Sequence, residues 1–173
     1  MIFTAQKTDT GTCCSSNQSK SNNMKRLHIH ISVDDLEQNR VFYTALFGME
    51  PTKVKEDYIQ WLVDDPAVNF AISKGKSKSG LNHLGLQVDS EEAVNAIEKR
   101  LVNAGITGEK QDEAACCYAK SKKYWVQDPQ DVIWENYHTM DQIEVFGGDS
   151  FTGGVGCCEP TFPKDDTCST GCC

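Results

Sequence analysis

Four positions in this chain invite a chemical reading: His28, Ala71, His83 and Glu135. His28 stands in RLHIHISVD, Arg26 to Asp34, and His83 stands in LNHLGLQVD, Leu81 to Asp89. The two stretches run in step, with Ile29 on Leu84, Ile31 on Leu86, Val33 on Val88 and Asp34 on Asp89. A second pair, WLVDDPAVNFA (Trp61 to Ala71) and WVQDPQDVIWE (Trp125 to Glu135), aligns with small slips around an Asp-Pro turn. Ala71 and Glu135 thereby fall at equivalent places. If the two copies pack about a pseudo-two-fold axis, all four positions converge. Two imidazoles and one carboxylate on one side of a metal leave about three positions open for substrate and dioxygen, the facial triad of non-haem Fe(II) oxygenases. A strand histidine taken singly is ordinarily a core or surface residue, and Glu135 taken singly reads as a half-exposed strand position. The repeat that relates them carries the metal reading. His30 shares a face with His28 and is either a competing ligand or a neighbour of the ligands. His138 is expected at the surface.

A second constellation is Cys116-Cys117, in EAACCYAKS. Adjacent side chains of a regular strand point to opposite faces. Both thiols therefore meet one ligand only in a loop or bulge, and the Gln-Asp-Glu-Ala-Ala stretch before them suits a loop. The alternative is one cysteine buried as a small apolar residue and the other incidental. The residues alone leave both open.

The elements that position these groups repeat as well. In the first copy Arg26 to Val33 alternates as a strand. Asp34 or Asp35 caps a helix, with Gln38 completing a capping box, and Leu36, Phe42, Tyr43, Leu46 and Phe47 mark its apolar face. Gly48 stops it. Strands are expected at about Glu50 to Lys55, Tyr58 to Val63 and Asn69 to Ser73, before a solvated linker from Lys74 to Gly80. In the second copy Ser90 caps a helix. Ala93, Ile97, Leu101 and Ala104 bury its face and Gly105 ends it. Strands follow near Thr107 to Asp112, Cys117 to Val126 and Val132 to Thr139. The fold class is α+β, two paired βαβββ modules forming a cupped mixed sheet. The domain spans 24–140 (module one 24–75, module two 80–140). It lies between a polar, disordered extension at 1–23 and a flexible cysteine-rich tail at 141–173.

Composition narrows the partners. A net charge of -8 argues against nucleic acid and anionic membranes, which would repel the chain. No apolar run of about 18 residues occurs, so no transmembrane helix is expected. The first residues lack the basic start and apolar stretch of a signal peptide, and the expected location is cytoplasmic. Of nine cysteines, eight form adjacent pairs, which are poor staples. In a reducing compartment they stay thiols, available to soft metals and metalloids. Lys120, Lys122 and Lys123 read as a solvated strand edge.

The motifs VDDLEQNRVFYTALFG, LNHLGLQV and DPQDVIWENY, over roughly Met24 to Thr139, resemble the vicinal oxygen chelate superfamily of glyoxalases, bleomycin-resistance proteins and extradiol dioxygenases. The resemblance implies paired βαβββ modules around a divalent metal held by His28, His83 and Glu135. Ala71 departs from the four-ligand pattern of glyoxalase I. With Cys116-Cys117 and the cysteine-rich tail added, the chain is most similar to the organoarsenical carbon-arsenic lyases and cadmium-induced proteins. That likeness implies an Fe(II)-dependent dioxygenase cleaving trivalent organoarsenicals, methylarsenite or aromatic, to inorganic As(III). In it Cys116 and Cys117 bind substrate in the catalytic site, and Cys157, Cys158, Cys168, Cys172 and Cys173 capture released As(III). Two other functions compete: thiol-based sequestration of Cd(II) or As(III), and another metalloenzyme of the superfamily, an extradiol dioxygenase or a fosfomycin-type thiol transferase. The modules pair within one chain or exchange between two chains of a homodimer.

Overall fold

A computed structural model describes residues 25–74, 78–142 and 162. Cys13, Cys14, Cys157, Cys158, Cys168, Cys172 and Cys173 lie outside the described residues, as do the extension at 1–23 and most of the tail. The first unit is β1 (Arg26–Ser32), α1 (Leu36–Phe47), β2 (Lys53–Val54), β3 (Tyr58–Val63) and β4 (Val68–Ser73). The second is β5 (Gly80–Val88), α2 (Glu91–Asn103), β6 (Glu109–Cys116), β7 (Ala119–Gln127) and β8 (Ile133–Gln142). Each unit has the βαβββ order that the repeat predicts.

All eight strands form one mixed sheet in the order β2-β3-β4-β1-β5-β8-β7-β6. The order is palindromic about the β1–β5 seam. β1 pairs parallel with β4 and β5 parallel with β8, while β1 and β5 run antiparallel with His28 opposite Gly85 and His30 opposite His83. The pseudo-two-fold axis therefore passes between the central strands. It exchanges His28 with His83, and His30 with Gly85. The axis also equates Ala71, the β4 partner of His30, with Glu135, the β8 partner of Gly85.

Both helices begin as their caps dictate. The Asp35 carboxylate accepts from the Gln38 amide at 2.9 Å, and the Ser90 hydroxyl accepts from the Ala93 amide at 3.2 Å, each satisfying one orphan N–H of a first turn. Gly48 closes α1 at φ 64°, a left-handed value that glycine adopts without steric cost. The helices cover one face of the sheet. Leu36, Tyr43 and Phe47 pack on Trp61, Phe70 and Ile72, while Val94, Ile97 and Leu101 pack with Tyr124 and Val126. Two residues depart from the expected α1 face: Phe42 and Leu46 are 59 % and 61 % exposed. The sheet meets only a narrow stripe of this helix. On α2 Ala104 is the exposed C-cap, not a core residue, and Val94 takes its place in the core.

The tryptophans correct the alignment by one residue. Gln60 pairs with Ala71 in the first unit, and Trp125 pairs with Glu135 in the second. Trp61 accordingly sits under α1, whereas Trp125 lies on the opposite face, its ring edge-on to His83 at 5.2 Å. That second face carries the polar strand positions His28, His30, Ser32, His83 and Glu135, all buried.

Candidate metal centre

Alternation along β1 puts His28 and His30 on the helix-free face, β5 contributes His83, and β8 contributes Glu135. Their exposures are 4 % for His28, 3 % for His83 and 4 % for Glu135. His28 Nε2 lies 3.2 Å from His83 Nε2 and 3.5 Å from Glu135 Oε2, and His83 Nε2 lies 3.3 Å from the same oxygen. Three ligand-type atoms thus form a small triangle on the pseudo-axis, as the repeat anticipates.

The tautomers follow from the hydrogen bonds behind the rings. His28 Nδ1 donates to the Asn69 carbonyl at 3.0 Å, and His83 Nδ1 donates to Asn82 Oδ1 at 2.6 Å. Asn82 is itself fixed by donating Nδ2 to Ser32 Oγ at 3.1 Å. With the proton on Nδ1, each imidazole turns its Nε2 toward the other ring and toward the carboxylate. One cation can be shared by the three atoms. Backing of this kind sets ring orientation in metal sites. Cis donors at bonds of about 2.1 Å stand about 3 Å apart, close to the observed edges. The donor set fits a divalent first-row metal.

Electrostatics point the same way. Burial, then the neighbouring His83, pushes His28 down to about 4, so its ring is neutral and free to ligate near neutrality. Burial alone would raise Glu135, but the adjacent Lys123, His83 and His28 outweigh it and hold the carboxyl well below its usual range.

His30 is the third histidine of the cluster. One ligand atom from each of His28, His30 and His83 lies within 4.8 Å of the others, so the three histidines together could also hold a metal ion. His30 Nε2, however, shares a hydrogen bond with Ser73 Oγ at 2.8 Å. That bond turns His30 toward β4, whereas the Nε2 atoms of His28 and His83 face each other and Glu135. His138 lies apart from this cluster. It is half-buried, and its Nδ1 donates to the Val88 carbonyl at 3.1 Å.

The thiol segment differs from the expected loop. Gln111 to Ala115 belongs to β6, with a bulge before Ala114. The reversal is a two-residue hairpin, Cys117-Tyr118, between the paired residues Cys116 and Ala119. Both loop residues have positive φ, 54° and 61°. This is the handedness of a tight hairpin turn that Asn-Gly ordinarily fills. A left-handed Cys and Tyr cost about 1 kcal/mol each or more. Tyr118 is held by contacts with the first unit. Its hydroxyl donates to Asp57 Oδ1 at 2.6 Å, and Lys55 Nζ lies 5.0 Å from its ring centre. Burial, then that carboxylate, pushes the Tyr118 phenol up to about 12. The outermost hairpins of the sheet thus meet, which curls it into a cup. Cys117 lines a cavity of about 90 Å³ together with His28, His30, Lys123, Glu135 and Tyr137. It packs there with Tyr58, Tyr118 and Ala71, the position equivalent to Glu135.

Sequence reasoning missed Lys123. In the run KSKK it reads as one more solvated lysine. In the structure it is 3 % exposed, and its Nζ donates to Glu135 Oε1 at 2.5 Å. Lys122 points the other way, to Glu91 and Asp112. Strand alternation requires that one of two adjacent lysines face inward, a signal that the charge of the run masks.

A duplicated βαβββ sheet with paired histidines at its central seam defines a class of metal-site scaffold. The chain belongs to the Glyoxalase/Bleomycin resistance protein/Dioxygenase superfamily, whose family model matches residues 25–135. Among its relatives is a trivalent organoarsenical cleaving enzyme of Bacillus sp. (strain MD1), 36 % identical over 84 % of this chain and 91 % of the relative. Another is the cadmium-induced protein CadI of Mycobacterium tuberculosis (strain ATCC 25618 / H37Rv), 38 % identical over 72 % of this chain and 82 % of that protein. Homoprotocatechuate 2,3-dioxygenase from Arthrobacter globiformis shares the fold at a TM-score of 0.52 and 20 % identity, over 70 % of this chain and 38 % of that one. Among the described residues no helix is long and apolar enough to cross a membrane.

Proposed function

We propose that this protein is an Fe(II)-dependent dioxygenase that cleaves the carbon–arsenic bond of trivalent organoarsenicals. The observation that carries the reading is the cavity shared by Cys117, His28 and Glu135. It brings a sulfur donor and a metal-type donor set to one space. The relatives named as organoarsenical cleaving enzymes support the substrate class.

His28, His83 and Glu135 hold the metal in this reading, and Fe(II) bound there supplies electron transfer to dioxygen. Methylarsenite has one carbon substituent and two exchangeable hydroxyls. The thiols of Cys116 and Cys117 displace both, each S–H proton leaving with a hydroxyl as water, because As(III) is soft and sulfur-seeking. The remaining As–C bond is then presented to the cavity floor. Holding the reactants side by side is the chief contribution of the protein. The overall change balances as CH3As(OH)2 + O2 giving As(OH)3 + CH2O. The As–C bond breaks, the carbon is oxidised to the aldehyde level and dioxygen is reduced.

The test is anaerobic loading with Fe(II), addition of methylarsenite, then air, with arsenic speciation and oxygen uptake recorded together. Wild-type protein is expected to release arsenite with matching oxygen consumption, and Cys117→Ala and Glu135→Ala to release none. Cd(II) or As(III) bound at the thiols without oxygen uptake would replace this reading with sequestration. Turnover undiminished in Cys117→Ala would place the protein among the other metalloenzymes of the superfamily.

A further inference from the structure

The buried lysine beside the proposed ligands has no part in the reaction outlined above. Lys123 Nζ takes Glu135 Oε1 at 2.5 Å, while the other carboxylate oxygen, Oε2, faces the Nε2 atoms of His83 and His28 at 3.3 and 3.5 Å. The two oxygens thus have separate assignments. A carboxylate without such a partner is free to turn both oxygens toward one cation, as carboxylates do in two-oxygen ligation. The ammonium occupies the second oxygen and blocks that turn.

The internal repeat supplies an independent comparison. On β7 and β8, Trp125 pairs with Glu135, and Lys123 pairs with Tyr137. On β3 and β4, Gln60 pairs with Ala71, and Tyr58 pairs with Ser73. The pseudo-axis therefore equates Lys123 with Tyr58, as it equates Glu135 with Ala71. The half that has the carboxylate has the lysine, and the half that lacks one lacks both. A lysine needed only to solvate the cavity wall would not track the carboxylate in this way.

We propose that Lys123 is a positioning residue that restricts Glu135 to one-oxygen ligation and so keeps a coordination position open for an incoming molecule. This rests on the assignment of Glu135 as a ligand, but not on arsenic chemistry. Loss of the lysine has two opposed effects. The metal gains an oxygen and loses a neighbouring positive charge, so it binds more tightly. Exogenous ligands lose a position, so they bind more weakly. General damage to the site would weaken both.

The experiment uses Co(II) as the metal and azide as the exogenous ligand, with affinities from the visible absorption of the cobalt. Lys123→Met and Lys123→Gln are expected to bind Co(II) roughly tenfold more tightly and azide roughly tenfold more weakly than wild type. Lys123→Arg keeps the charge and the donor and is expected to restore both affinities. The Gln variant retains polarity should the Met variant fail to fold. Co(II) affinity unchanged or reduced in Lys123→Gln would overturn the proposal. So would equal effects of Lys123→Gln in wild-type and Glu135→Gln backgrounds. Neither readout involves an organoarsenical, so a failed arsenic assay and a failed positioning role are separate results.

Discussion

At the scale of residues the site is an arrangement of lone pairs. His28 and His83 have their protons fixed on the far side of the ring by Asn69 and Asn82, so the near side is available for a cation. Gly85 is as constrained as any ligand. A Cβ there would lie 1.9 Å from the Glu135 carbonyl oxygen, far inside contact distance. Gly85→Ala must displace β8 and with it Glu135. It is expected to destabilise the fold by about 2 kcal/mol or more in urea unfolding and to weaken Co(II) binding in the same protein. The histidine positions were legible in the sequence because the repeat relates them. Glu135 was legible for the same reason, although the tryptophan match that suggested the alignment was one residue out. Lys123 was not legible. Its inward face is decided by strand register, and a run of like charges carries no mark of register.

At the scale of elements the Cys117-Tyr118 turn is the least conventional piece. EAACCYAKS contains none of the Gly, Asn, Asp or Pro that announce a tight hairpin. The reversal is imposed by the pairing of β6 with β7, which a single segment does not reveal. Since the Tyr118 hydroxyl and Asp57 help hold the turn, Tyr118→Phe is expected to cost about 1 kcal/mol locally. Hydrogen exchange would show it as faster opening of the amides of 117–119, with the β1–β5 seam unchanged. Helix α1 offers the opposite lesson. Its apolar residues span more of the circumference than the sheet can cover, so periodicity overstated the buried face. Phe42→Ser is expected to change stability by no more than about 0.5 kcal/mol. Phe47→Ala, on the half-buried stripe packed against Trp61 and Phe70, is expected to cost about 3 kcal/mol. Chemical denaturation of the two variants checks the assignment.

At the scale of the whole molecule the buried histidines govern the response to acid. His28 has a folded value of about 4 against 6.5 for an unconstrained imidazole, and His30 is likewise held down by burial, then by His83 and His28. Between pH 6.5 and 4 the unfolded chain therefore binds protons that the folded chain excludes. Stability falls with acidification over that window. For His28 the loss is on the order of 3 kcal/mol by pH 4. Metal-free protein is expected to show its urea midpoint dropping steadily from pH 7 to pH 4.5. A flat profile would mean that these rings are accessible to protons in the folded state.

Gly85 and Ala71 together limit how far the two halves of the repeat can be made alike. At each, one half of the repeat has a small residue where the other half has a side chain of the site, and neither can readily be made to match. A histidine at 85, mirroring His30, has no room beside the Glu135 backbone. A glutamate at 71, mirroring Glu135, would have to displace Tyr58, Tyr118 and Cys117. Full symmetry is sterically barred at both places, so a substitution that reshapes this site has to work through the cavity wall and the turn.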